Sequence, residues 1–282
     1  MRRPLVLAFT ALTAVRLTAA VAAAAQQQND PGERAWRVEG LRKAFCVQFL
    51  MDPASKALED LPEGYRPVPA SEAAELHVSL RSVVAEQSEF AAWSPSRLCF
   101  DAADTVRTGE FILGDKSGRH PQLFATWTVL AVGPGGSPGD VALKLFSNSD
   151  RLIRSARTAG QEVHEARLLV GLVPAEDDDG VASTDERFQV KMGKTTVTWD
   201  GHAARDSAAI KEPIRRRWTA NSTRGGRTAT GEVVFSPALE QAMAGSLKVD
   251  GKDDLAKALR ASPTRFAGPV YRGGGGSISF DR

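Results

Sequence analysis

The chain has 282 residues, with 36 Lys and Arg against 34 Asp and Glu, a formal net charge of +2, and 25% charged and 42% hydrophobic residues. These are globular proportions, and they exclude a collagen-like repeat, a disordered acidic tail and a multi-span membrane protein. No strong positive field is available, which argues against a dedicated nucleic-acid binder.

Residues 1–25 read as a secretory signal peptide. Arg2 and Arg3 precede an apolar run, and the small residues Ala22 to Ala25 precede a polar start at Gln26. Arg16 interrupts the apolar run and argues against a stable membrane span after processing. The segment carries three of the 36 basic residues, so its removal leaves 33 against 34 acidic ones. The expected location is therefore secreted or periplasmic, with residues 26–41 as an N-terminal extension. In an oxidising compartment Cys46 and Cys99 read as a disulfide closing a loop of about 50 residues. Two buried free thiols are the alternative.

Further along, 43–51 (KAFCVQFLM) has the aromatic and branched residues of a strand. Asp52-Pro53 reads as a helix N-cap followed by proline at the first helical position. Ser71 is expected to cap a second helix through about Val84, and Trp93–Ser96 to turn. Strands are expected over 97–107, 122–132 and 140–146, the last two joined by a Gly/Pro loop. A helix follows over 149–158, stopped at Gly160. A strand is expected over 162–173, then an acidic loop over 175–186. Residues 188–191 and 195–199 read as a hairpin about Gly193. Strands over 214–221 and 227–235, a helix over 253–261 and strands over 267–271 and 277–280 complete the chain. The fold class is mainly β (α+β): one antiparallel barrel-like domain over 42–282 with a few short helices.

Chemistry-bearing motifs are sparse. The sequence has no GxGxxG, Walker loop, GxSxG, HExxH or CxxC, and none of its four histidines has a second at metal-ligand spacing, so neither a metal nor a cofactor is expected. Glu162 and His164 share one face of the expected strand, where a carboxylate beside an imidazole makes an acid/base pair. Lys144 lies in an apolar strand on the face of Ala142 and Phe146, where a buried amine would be nucleophilic. Arg216 points away from its neighbours Arg215 and Arg217; it would bind a carboxylate, or stand as solvated strand charge. His120 and His202 read as exposed loop residues.

The order of segments resembles the acetoacetate decarboxylase-like family. The match begins with RKAFCVQFLMD at 42–52, a short helix and Leu61-Pro62. It continues with 139–148, Gly193-Lys194 before TTVTW, and Ser262-Pro263-Thr264-Arg265. The resemblance implies a closed antiparallel cone-shaped barrel around a small pocket, with Arg42 binding a substrate carboxylate. It also implies a Schiff-base lysine, but the corresponding stretch AGQEVHEAR holds none, and the carboxylate expected around 122–124 is absent too. The expected function is that of an exported barrel binding a small organic acid or apolar ligand without Schiff-base decarboxylation. One alternative is a lyase or isomerase on keto acids, using Glu162 and His164 or the relocated amine of Lys144. The other is a structural exported protein without a ligand. The expected partner is a small molecule, with self-association left open.

Overall fold

The computed structural model describes residues 34–74, 81, 84–108, 111–113, 122–174, 184–204, 207–210, 212–225 and 228–281. The expected signal peptide and His120 lie outside these residues. The first half of the chain holds β1 (Arg34–Met51), β2 (Arg66–Pro67), β3 (Ser94–Thr108), β4 (Phe111–Leu113), β5 (Gln122–Val132) and β6 (Pro138–Ser147). Next come β7 (Val163–Glu165), β8 (Arg167–Pro174), β9 (Thr184–Met192), β10 (Thr195–Ala203), β11 (Ala208–Ala209) and β12 (Ile214–Asn221). Last are β13 (Thr228–Ser236), β14 (Leu239–Gln241), β15 (Met243–Asp250), β16 (Arg265–Ala267), β17 (Val270–Arg272) and β18 (Gly275–Asp281). The α-helices whose whole span is described are short: α1 (Ala70–Ala73), α2 (Asp150–Thr158) and α3 (Asp254–Ala261). The protein is mainly β, as its alternating hydrophobicity predicts.

Seven strands close a ring in the order β1-β18-β13-β12-β6-β5-β3, with β3 pairing back onto β1. Every pairing in it is antiparallel except β12 with β6. The inside is apolar at one end, where Leu41, Phe124, Leu145, Trp218, Ile278 and Phe280 pack together. Leu152, Ile153 and Ala156 of α2 add to that plug. The outer faces of β1, β3, β5 and β6 pack on a second sheet, ordered β15-β10-β9-β8. Phe45 stacks on Phe188 there, with ring centroids 4.3 Å apart. Strands with one face to each core must be apolar on both, which is why KAFCVQFLM reads as a nearly continuous run.

Two bulges set which side chains reach the inside. Arg42 is the extra residue between Leu41 and Lys43 on β1, so Leu41 and Ala44 share the inner face although three positions apart. Leu143 is the corresponding residue on β6, so Ala142 packs inside while Phe146 packs outside. The expected common face of Ala142, Lys144 and Phe146 is thereby broken.

Several local expectations change in the fold. β1 begins at Arg34 rather than Lys43, taking in much of the expected extension. After Asp52-Pro53 the chain makes a turn, with Ala54 N donating to Asp52 Oδ1 at 2.8 Å, and only a 3-10 helix over Lys56–Asp60 follows. Pro69, not Ser71, precedes α1. The turn before β3 ends at Trp93, and the strand starts at Ser94. The strand expected over 162–173 breaks at Ala166 into β7, which joins the ring sheet, and β8, which joins the second sheet. Glu186, expected in an acidic loop, is fully buried in β9 between Lys43 and Arg272. β15 had no clear signal, because its burial alternates weakly at a sheet edge. By contrast β5 and β12 match their expected spans, and Asp253 caps α3 through a 2.8 Å bond from Ala256 N. Gly160 (φ 80°) ends α2 and Gly193 (φ 56°) turns the β9–β10 hairpin, conformations that favour glycine. Among the described residues no helix is long and apolar enough to cross a membrane.

Candidate functional site: an arginine-lined cavity inside the ring

On β3 alternate residues face inward: Arg97, Cys99 and Asp101, followed by the buried Ala103. Cys46 on β1 and Arg216 on β12 meet them. The sequence places polar side chains on the inner face only toward one end, and there the ring is hollow. A mouth cavity of about 590 Å³ leads past Arg97, Arg216 and Gln48. The same three residues also line a deeper compartment of about 170 Å³, which reaches Cys46, Phe235 and Tyr271. Asp140, Arg215, Arg217 and Phe266 complete the rim of the mouth.

Arg216 spans the interior. Its Nη2 donates to Asp101 Oδ1 and its Nη1 to Cys46 Sγ at 3.3 Å, and its side chain is 12% exposed. It therefore does bind a carboxylate, that of a buried partner, and is not solvated strand charge. Asp101 is fully buried, and its Oδ2 has no hydrogen-bond partner among the described residues. Burial pushes this carboxyl above the ordinary range, against the opposing pull of Arg216. Arg97 pairs with Asp140. Burial and the nearby Arg216 lower Arg97 to about 10, so it remains a cation at neutral pH. Burial and the carboxylate of Glu240 push the Tyr271 phenol up, so it stays a neutral donor. Four arginines thus border the mouth, against the carboxylates of Asp140, of Glu232 beside Arg215 and, deeper, of Asp101. The interior has a net positive potential suited to a small anion.

Cys46 and Cys99 lie directly opposite each other on β1 and β3 and form a disulfide. The other sequence candidates lie elsewhere. Arg42 is exposed at its bulge and lines none of the described cavities. Glu162 and His164 do come together, with His164 Nδ1 3.8 Å from Glu162 Oε1, but beyond hydrogen-bond reach. His164 packs on Phe146, half-buried, on the outside of the ring. Burial lowers its pKa, and the charges of Lys144 and Arg157 add to this against the pull of Glu162. Lys144 is therefore a neighbour of this pair and not of the cavity. No lysine is among the described residues that line the mouth or the deeper compartment. Lys191 and Lys194 are exposed on the second sheet, and His202 is an exposed strand residue of β10. Among the described residues no group of three or more His, Cys, Asp or Glu is placed to hold a metal.

Arg97, Asp101, Asp140 and Tyr271 were missed from sequence. A signal existed for the first two. In RLCFDAA the residues 97, 99 and 101 share one face of an otherwise apolar strand. Two charges on a core face need partners across the interior or a hollow beside the strand.

No family model matches the sequence, and no curated protein matches it significantly. Solved structures do match. The enduracididine biosynthesis enzyme MppR with HEPES bound aligns over 88% of this chain and 85% of its own, with a TM-score of 0.53 and 12% identity. MppR complexed with pyruvate aligns over 87% of each chain, with a TM-score of 0.50 and 12% identity. An acetoacetate decarboxylase-like enzyme from Sphingomonas wittichii RW1 covers 88% of this chain and 92% of its own, at a TM-score of 0.48 and 9% identity. The likeness is one of fold.

Proposed function

We propose that this chain, which has the acetoacetate decarboxylase-like fold, is an exported protein whose ring cavity binds a small organic acid without forming a Schiff base. The observation that carries this reading is the set of four arginines at the mouth, which outnumber the three carboxylates paired with them, those of Asp140, Glu232 and Asp101. Arg97 and Arg216 would hold the ligand carboxylate, and the wall toward Phe235 would take its apolar end. Tyr271 is placed to donate to a carbonyl or hydroxyl oxygen. That no lysine stands among the described lining residues supports binding without imine chemistry. Export rests on the character of residues 1–25 and agrees with the disulfide.

Pyruvate is the first probe, because it is bound in the MppR complex. Pyruvate and acetoacetate are expected to raise the melting temperature, whereas the uncharged pyruvamide is not. Arg97→Gln should weaken pyruvate binding about ten- to hundred-fold, the value of a hydrogen bond to a charged group. Arg42→Ala should leave binding unchanged. Borohydride treatment with pyruvate should leave the intact mass unaltered. A reduced adduct on any lysine, or equal shifts with pyruvate and pyruvamide, would overturn the reading.

A further inference from the structure

We propose that the Cys46–Cys99 disulfide is a thiol-exchange site at the floor of this cavity, and that its reactant is a small thiol bearing a carboxylate. The inference rests on the anion-binding reading of the mouth and adds a reaction to it.

The two sulfurs differ in access. Cys46 is partly exposed and lines the deeper compartment, whereas Cys99 is 1% exposed. A thiolate arriving through the mouth can reach only the Cys46 sulfur. Attack there forms a mixed disulfide on Cys46 and expels Cys99 as the leaving thiolate, sealed behind the new bond. Arg216 sits at the attacked sulfur, where its charge draws in the incoming thiolate and then steadies Cys46 when that sulfur leaves in the second step. Its Nη1 is 3.3 Å from Cys46 Sγ, and a guanidinium at that distance stabilises negative charge on sulfur. The approach is selective as well, since an anionic thiol enters past Arg97, Arg215 and Arg217 and a cationic one is repelled.

The bond does not have to hold the ring shut in the folded state. The β1–β3 ladder runs from Arg37 opposite Arg107 to Met51 opposite Ser94, and so flanks the disulfide on both sides. Exchange can therefore proceed with the fold intact. The reaction balances in two steps. The first thiol gives the mixed disulfide at Cys46 and a free Cys99. A second thiol attacks the sulfur of the bound reactant, releasing Cys46 and the reactant's own disulfide. Two thiols are oxidised, the protein disulfide is reduced, and their two protons end on the two cysteines.

The test compares reduction of the native protein by thioglycolate, 2-mercaptoethanol and cysteamine, with rates expressed per thiolate and read by acid quench, alkylation and intact mass. Thioglycolate is expected to react about tenfold or more faster than cysteamine. Pyruvate should slow it, and the ratio should fall toward one in Arg97→Gln. Arg217→Gln at the exposed rim serves as a second variant if Arg97→Gln does not fold. Equal rates for the three thiols, or a rate independent of thiol concentration because the bond opens only on unfolding, would overturn the proposal. Pyruvate-induced stabilisation of a Cys46→Ser/Cys99→Ser protein separates the two claims. If it persists while exchange lacks charge preference, the exchange site fails and the acid-binding cavity stands. If pyruvate binds neither protein, the cavity reading fails.

Discussion

Arg216 and Asp101 are the residue pair on which the site depends. A fully buried carboxyl that keeps one oxygen unpartnered is costly as an anion, and Arg216 offsets only part of that cost. The folded chain therefore holds the Asp101 proton more tightly than the unfolded chain does. As pH rises through the ordinary carboxylate range near 4, the unfolded state loses this proton first and native stability falls. Asp101→Asn removes the titration, so it should gain stability relative to the native protein as pH goes from about 4 to 7, measured by urea unfolding. The opposite slope would mean that the ion pair with Arg216 outweighs burial. At this scale the sequence was partly legible. The inward direction of Arg216, opposed to Arg215 and Arg217, follows from strand alternation and is what the ring shows. Its partner does not follow, because Asp101 lies 115 positions away and only ring closure brings the two together.

At the scale of the element, alternation predicted most strands and bulges defeated it where it mattered. The family resemblance gives Arg42 a substrate carboxylate to bind, but the bulge makes it the extra residue and leaves it exposed. A bulge leaves no reliable trace in a single sequence, since one inserted residue looks like ordinary alternation until the partner strand is known. The β12–β13 pair shows a second device of this kind. Trp218 lies opposite Gly231, its Nε1 donates to Gln161 Oε1 at 3.2 Å, and its indole covers the space a side chain on Gly231 would need. Trp218 also contacts Phe124 and Phe280 in the plug that closes one end of the ring. Gly231→Ala should therefore cost about 1–3 kcal/mol by overpacking, seen as a lower urea midpoint with unchanged slope. An unchanged midpoint would show that Trp218 can move aside without loss. β7 and β8 mark another limit, since a continuous apolar pattern cannot show that a strand leaves one sheet for another at Ala166.

For the whole molecule, the β1–β3 pairing is decisive, because it turns an open sheet into a ring with an inside. The disulfide crosses that seam and links residues 53 apart in sequence. In the native state the ladder already holds them together, so the bond's contribution is to the unfolded chain, whose loop it closes. Replacing both cysteines by serine should cost about 4 kcal/mol of stability while leaving the β-sheet circular dichroism of the native state intact. Loss of the native spectrum would show that the ladder cannot hold the seam unaided. The sequence by itself determined the β class, most strand positions, the helix stop at Gly160, the hairpin turn at Gly193, and the segment order that resembles the acetoacetate decarboxylase-like family. These are properties of neighbours along the chain: period, capping and turn chemistry act within a few residues. Only the tertiary structure decided which arginines face the cavity, that Arg216 reaches Asp101 and Cys46, and that Glu162, His164 and Lys144 gather outside the ring. Those outcomes depend on register, bulges and closure, which are settled between strands far apart in sequence and carry no local signature.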